Sequence, residues 1–264
     1  MYLISSNSTS QKPFTTEAWT ETGPFELKKI KADIFLVGTV HLDPRLRELI
    51  FELLNILSPS VITVEISRFS LDFREKNELP WLNKLRRLKK RLPVNDKDYS
   101  AIRLLERQLM ISREWMAASS YGEKNNIPVI PVDSSVLARK ELPDWKDTLI
   151  GFKNIKNLAG EPDFDLSSYF MDCYRQAEAT LVGHKEYPAP IHPMRWLKDG
   201  LWQKRERVLA TRIRRVHRVK RPVVHIGGWM HLIHGSPWDT ISDLLSNLKP
   251  VRLFIKNSSL CVGH

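Results

Sequence analysis

The stretch Asp33-Ile34-Phe35-Leu36-Val37-Gly38-Thr39-Val40-His41 decides the fold. It is a run of apolar, β-prone residues that closes on a glycine and then delivers a histidine. A strand covered on both faces needs no polar alternation, so the run reads as a central strand of an α/β sheet. Asp43 and Pro44 follow as N-cap and first residue of a helix carrying Leu46, Leu49, Ile50, Leu53, Leu54 and Leu57. His41 then stands at the carboxyl end of a strand beside a helix start, where open α/β sheets bind ligands. Near the other end of the chain, Val223-Val224-His225-Ile226-Gly227-Gly228-Trp229-Met230-His231 repeats the pattern.

Working outward, Ser58-Pro59 ends the first helix, because a residue before proline is pushed out of the helical region. Val61 to Ile66 is a second strand, parallel to the first, with Glu65 at its end level with His41. Ile127 to Asp133 reads as a third, peripheral strand given its prolines, and Val251 to Ile255 as another. Pro24 to Ile30 alternates like a hairpin entering the sheet. Helices are expected over 67–92 with an interruption at Leu79-Pro80, and from Tyr99 to Lys124 as one long, largely buried helix that includes Glu114. Further helices fall around Trp145 to Phe152, Leu166 to Leu181, Met194 to Val219 and Asp239 to Leu248, with a proline-rich bend at Pro188 to Pro193. The fold class is α/β: a central, mostly parallel, mixed sheet flanked by helices. Residues 1–23 read as a flexible segment and 24–264 as a single domain, with a helical insertion or cap over 134–205.

The 264 residues are 42% hydrophobic, enough for a core without disulfides. Cys173 and Cys261 are far apart and lack a CxxC partner, so neither a disulfide framework nor a cysteine zinc site is indicated. The Ser- and Thr-rich start has no secretory signal pattern, and no stretch reaches the roughly 18 apolar residues of a membrane span, which places the expectation in the cytoplasm. The net charge of +11 raises nucleic acid as a partner. It concentrates in Lys84 to Arg91 and in Arg212 to Arg221, yet both segments keep apolar residues at helical spacing. That arrangement describes solvated helix faces and leaves nucleic acid as the lesser alternative.

His41, Glu65 and His231 each stand at the expected carboxyl end of a different strand. Two imidazoles and a carboxylate can bind a divalent metal such as Mn, Co or Zn and leave positions open for water. Their distance in sequence says nothing of geometry, and the competing reading is satisfied or surface histidines with a solvent-facing Glu. Gly38, Gly227 and Gly228 serve either a φ above zero or a close backbone approach; GTVH and GGWMH are not dinucleotide-binding patterns. His184, His192, His217, His225 and His234 read as surface or packing residues. In Lys204-Arg205-Glu206-Arg207, an inward-turned Arg207 would hold a carboxylate or stabilise an oxyanion, against the reading of a charged exposed helix face.

Two Gly-x-x-His motifs, Gly38 to His41 and Gly228 to His231, with Val64-Glu65 and an Arg-bearing helix before the second motif, resemble the TraB/PrgY, GumN and Tiki group of the erythromycin-esterase/ChaN-like superfamily. Arg113-Glu114-Trp115 and the strand ending in Asp133 resemble that group's glutamate-bearing helix and the strand after it. The resemblance implies one site built from both histidines, a Glu and an Arg, here His41, His231, Glu65 and Arg207, with Glu114 secondary. Tiki proteins are metal-dependent proteases, PrgY acts on a peptide pheromone and ChaN-like relatives bind haem. The resemblance therefore implies a metal-dependent, peptidase-like hydrolase acting on a peptide or small molecule, or a non-catalytic haem- or peptide-binding module. The chain departs from the pattern at Trp229-Met230, bulkier than usual, and at the interval from His231 to Gly235, one residue longer.

Overall fold

The computed structural model describes residues 19–92, 99–182, 200–235, 238–256 and 259–263. Within them, seven strands form one sheet: β1 (Trp19–Thr22), β2 (Ile34–Thr39), β3 (Val61–Val64), β4 (Val129–Pro131), β5 (Val223–Gly228), β6 (Val251–Lys256) and β7 (Ser259–Gly263). Their order is β1-β7-β6-β2-β5-β3-β4, with β6, β2, β5, β3 and β4 parallel and β7 antiparallel to both its neighbours. The fold is the expected mostly parallel α/β sheet.

Every residue of β2, β3 and β5 is buried, which is why their sequences run apolar without alternation. On one face, Ile34, Leu36 and Val223 pack against α8 (Leu166–Val182) and α9 (Gly200–Val219) through Phe170, Leu209 and Ile213. On the other, Phe35, Val37 and Val224 pack against α2 (Leu46–Leu57) and α5 (Arg113–Asn125) through Ile50, Leu54, Ala118 and Tyr121. A third cluster joins α3 (Arg68–Lys89), α4 (Ser100–Leu109) and α7 (Phe152–Gly160), through Trp81, Leu85, Ile102, Leu109 and Ile155. The helical cover over the site thus draws on α3 and α4 as well as on residues after 134.

Five local expectations change. The helix expected around Trp145 to Phe152 is instead the end of a 3₁₀ turn (Leu142–Lys146) and a further turn, and α7 begins only at Phe152. Pro24–Leu27 is a short helix, α1, and the edge strand is Trp19–Thr22, paired with β7. Helix α2 begins at Leu46, because the Asp43 carboxylate accepts the Arg45 N–H at 2.9 Å and folds the Asp43–Arg45 turn ahead of it. Helix α3 runs through Pro80 without a break. The lost hydrogen bond and ring clash cost about 3 kcal/mol, and burial of Trp81, Leu85 and Leu88 on the same helix offsets them. The long helix expected from Tyr99 to Lys124 is two helices. Ser112 accepts the Trp115 N–H at 3.2 Å and caps α5, which puts Glu114 in that helix's first turn. The remaining helices are α6 (Ser135–Glu141) and α10 (Ile241–Leu244). The bend at Pro188 to Pro193 and the start of the helix expected from Met194 lie outside the described residues.

No helix among the described residues is long and apolar enough to cross a membrane. Much of the basic excess is engaged within the chain. Arg212 donates to the Val132 carbonyl at 3.3 Å, Arg221 to Asp33 at 3.0 Å, and Lys89 pairs with Glu106 at 3.5 Å.

Candidate active site

Strand β5 lies between β2 and β3, so the two histidine motifs become neighbours although almost the whole chain separates them. Gly38 pairs with Gly227 and Thr39 with Gly228, which shifts the second motif one residue along the sheet relative to the first. None of these glycines has a positive φ; the need is for space. A Cβ on Gly38 would stand 2.5 Å from Leu232 Cδ1 and 2.9 Å from Trp229 Cα, where the 3₁₀ turn Trp229–Leu232 crosses β2. A Cβ on Gly228 would stand 2.7 Å from His41 Nε2. Beyond β2 the chain turns sharply through Leu42, whose φ of 68° is the left-handed conformation a branched side chain seldom adopts.

Glu65 is the centre of the site. Its Oε2 lies 2.9 Å from His231 Nε2 and 3.9 Å from His41 Nε2, and accepts the Gly228 N–H at 2.6 Å. Its Oε1 accepts from Arg205 Nη2 at 2.6 Å, and the same guanidinium holds Asp133 at 2.9 and 2.7 Å. Each histidine is backed by a second buried carboxylate: His41 Nδ1 bonds Glu114 Oε1 at 2.7 Å, and His231 Nδ1 is 2.6 Å from Glu206 Oε1. Glu114 also accepts from Thr39 at 3.0 Å and Glu206 from the Ile241 N–H at 2.7 Å. Trp202 stacks on His231 with ring centroids 5.2 Å apart.

The charges follow from these contacts. Burial pulls the His231 pKa down, but Glu206 and Glu65 outweigh it and raise it to about 10. Although half of the His41 side chain is exposed, desolvation lowers its pKa too, and Glu114 and Glu65 turn the net shift upward. Desolvation pushes Glu65 up, yet His231 and Arg205 hold it well below the usual carboxylate range. Four carboxylates face one guanidinium, so the cluster has a formal charge of −3 with both imidazoles neutral and −1 with both protonated.

Of the residues expected at the site, His41, His231, Glu65 and Glu114 come together. Arg207 does not: its side chain is 65% exposed and 3.8 Å from Asp239. Arg205, two residues earlier, is the arginine of the site. His225, expected as a packing residue, is buried in β5 with Nδ1 3.0 Å from Thr63 Oγ1; burial, then the His231 charge, lower its pKa to about 3. His184 and His192 lie outside the described residues, and His234 pairs with Asp243 at 2.7 Å.

The metal expectation meets a mixed fit. Both Nδ1 atoms are engaged by carboxylates, which leaves the two Nε2 atoms and Glu65 Oε2 as convergent donors. Carboxylate-backed histidines are the usual outer support of metal ligands. Glu65 to His231 is close to the roughly 3 Å between two ligand atoms on one ion, given metal–nitrogen bonds of about 2.1 Å. Yet among the described residues the only such ligand group with all atoms within 4.8 Å of one another is Glu21, Glu178 and Cys261. His41 and His231 nitrogens therefore stand farther apart than that. The Glu21 group already holds a cation, since Lys256 Nζ is 3.2 Å from Glu21 and 2.7 Å from Glu178.

Compared with protein-family models, curated proteins and solved structures, the chain matches none of them.

Proposed function

We propose that the protein is a metal-dependent hydrolase, peptidase-like, in which His41, His231 and Glu65 hold a divalent cation, Mn, Co or Zn. The observation that carries this reading is that each histidine has a buried carboxylate at Nδ1 and turns Nε2 toward the same Glu65 oxygen. When bound, the cation would activate water and polarise the bond to be cleaved. The likeness to the TraB/PrgY, GumN and Tiki group supports the same reading.

The chain's own residues divide the work. Glu65 is held anionic by Arg205 and His231, which makes it a ligand and a poor proton acceptor. Arg205 ties Glu65 to Asp133 and lines the cavity beside His41, placed to stabilise an oxyanion. Glu114 and Glu206 orient the two imidazoles, and Trp202 covers one face of His231. The half-exposed His41 ring also favours a non-catalytic alternative, with haem or a peptide held at the same cavity.

The test is elemental analysis of the purified protein, followed by chelation, addition of Mn²⁺, Co²⁺ or Zn²⁺ and assay against a peptide library. Cleavage that needs metal and disappears in His41→Ala and His231→Ala is expected. No metal uptake and no cleavage would sink the hydrolase reading, and a Soret band on haem titration would select the alternative.

A further inference from the structure

Besides the carboxylates, the cavity is lined by guanidinium groups to which hydrolysis assigns no task. The cavity, about 500 Å³, is lined by His41, Glu65, Glu114 and Asp133 and also by Arg74, Arg107 and Arg113. That volume suits a small molecule or the end of a peptide.

Arg74 is engaged: it donates to the Gln108 and Met110 carbonyls, lies 4.8 Å from the Trp145 ring centroid and is acted on by Glu78. Among the described residues, the other two are not matched by acids. Arg107 donates to the Leu42 carbonyl at 3.2 Å and lies 5.5 Å from the Phe170 ring. The one carboxylate acting on it, Asp43, is already held by Arg45 at 2.7 Å and by the Tyr174 hydroxyl at 2.8 Å. Arg113, the first residue of α5, has no carboxylate within ion-pair distance among the described residues. Arg113 and Arg103 are close enough to repel Arg107, and after burial that repulsion lowers its pKa.

Ile66, Met110, Ile111 and Met116 line the same cavity. A ligand suited to this lining has an apolar part, an anionic group for the guanidinium groups and a reacting bond at His41 and Glu65. Resting on the hydrolase reading of this site, we propose that the substrate carries a carboxylate or phosphate that Arg107 and Arg113 hold while the bond to be cleaved lies at His41 and Glu65.

The test is calorimetric binding at low salt to the chelated protein, using inorganic phosphate, an N-acetylated apolar tripeptide with a free carboxylate and the same tripeptide as its amide. Charge-assisted hydrogen bonds to a guanidinium predict that the acid binds at least about tenfold more tightly than the amide. The preference is expected to vanish in Arg113→Gln and in Arg107→Gln, and to survive the charge-matched change Arg86→Gln on the exposed face of α3. Phosphate binding with no acid binding identifies a phosphate ester as the source; acid binding identifies a carboxylate. If neither anion binds at millimolar concentration, or if Arg113→Gln binds like the native protein, the anchor does not exist. His41→Ala is to be measured alongside: retained anion preference in a protein without hydrolysis separates this proposal from the reading on which it rests.

Discussion

Arg205 Nη2 lies 2.6 Å from Glu65 Oε1, while Arg207, on the same helix, is exposed to solvent and 3.8 Å from Asp239. Two residues span about 200° of a helix, so only one of the pair can face the sheet. Arg205→Ala leaves Glu65 and Asp133 without their shared cation. A loss of about 3–5 kcal/mol in stability is expected, together with loss of activity. Arg207→Ala is expected to cost less than about 1 kcal/mol and to leave turnover near the native rate. Urea unfolding and a metal-dependent assay of both variants check this.

The mainly apolar runs Ile34 to Val40 and Val223 to Ile226 made the sheet legible, because strands buried on both faces carry few polar residues and need no alternation; Thr39 and His225 are the buried exceptions. His41, His231 and Glu65 were legible for the same reason: strand ends fix where their side chains emerge. Arg205 was not, since a helix rich in Lys and Arg carries no mark of which residue turns inward. Glu206 shares the buried register of Leu209, Ala210 and Ile213 and marks the inward face, but Arg205 and Arg207 flank it by about 100° on either side, so it does not choose between them. Leu42 in a left-handed conformation left no pattern in the sequence, whereas the break between α4 and α5 did: Ser112 is an N-cap residue whose side chain takes the Trp115 N–H.

The paired glycines separate packing from function. On Gly227 a Cβ would lie 2.7 Å from Glu65 Oε2 and 3.1 Å from His225 Nε2. Glu65 is pinned by Arg205 and cannot give way, so Gly227→Ala is expected to lose about 1–3 kcal/mol of stability. On Gly228 the Cβ meets chiefly His41 Nε2, the free end of a half-exposed side chain that can swing aside. Gly228→Ala is expected to unfold near the native midpoint yet bind metal at least about tenfold more weakly. Thermal melts with a metal titration distinguish the two.

Stability of the chelated protein is expected to depend on pH through His231. Its folded pKa of about 10 lies above the ordinary 6.5, so the stabilisation is present in full below about pH 6.5 and is lost as pH rises toward 10. Glu65 acts in the opposite sense, its contribution present above the ordinary carboxylate range near 4.5 and lost as pH falls. Melting temperatures at pH 6.5, 8 and 9.5 should therefore decline. In His231→Gln that part of the decline should disappear; an unchanged slope would mean the imidazole is not held as a cation by Glu206 and Glu65.

Glu114 touches His41 Nδ1 and Thr39, not the cavity centre, and so acts by positioning. Glu114→Gln keeps an oxygen for the Nδ1–H and for the Thr39 hydroxyl but removes the charge. Two outcomes are expected together. The His41 pKa, followed through its ring C–H resonances, should fall toward or below the ordinary value, because Glu114 is the largest influence raising it. Metal affinity should drop about 10–100-fold, the usual effect of losing an outer carboxylate behind a ligating histidine. A merely structural role would lower stability without moving the His41 titration. Thr39→Val, which removes only one of the bonds to Glu114, should shift both readouts in the same direction and by less.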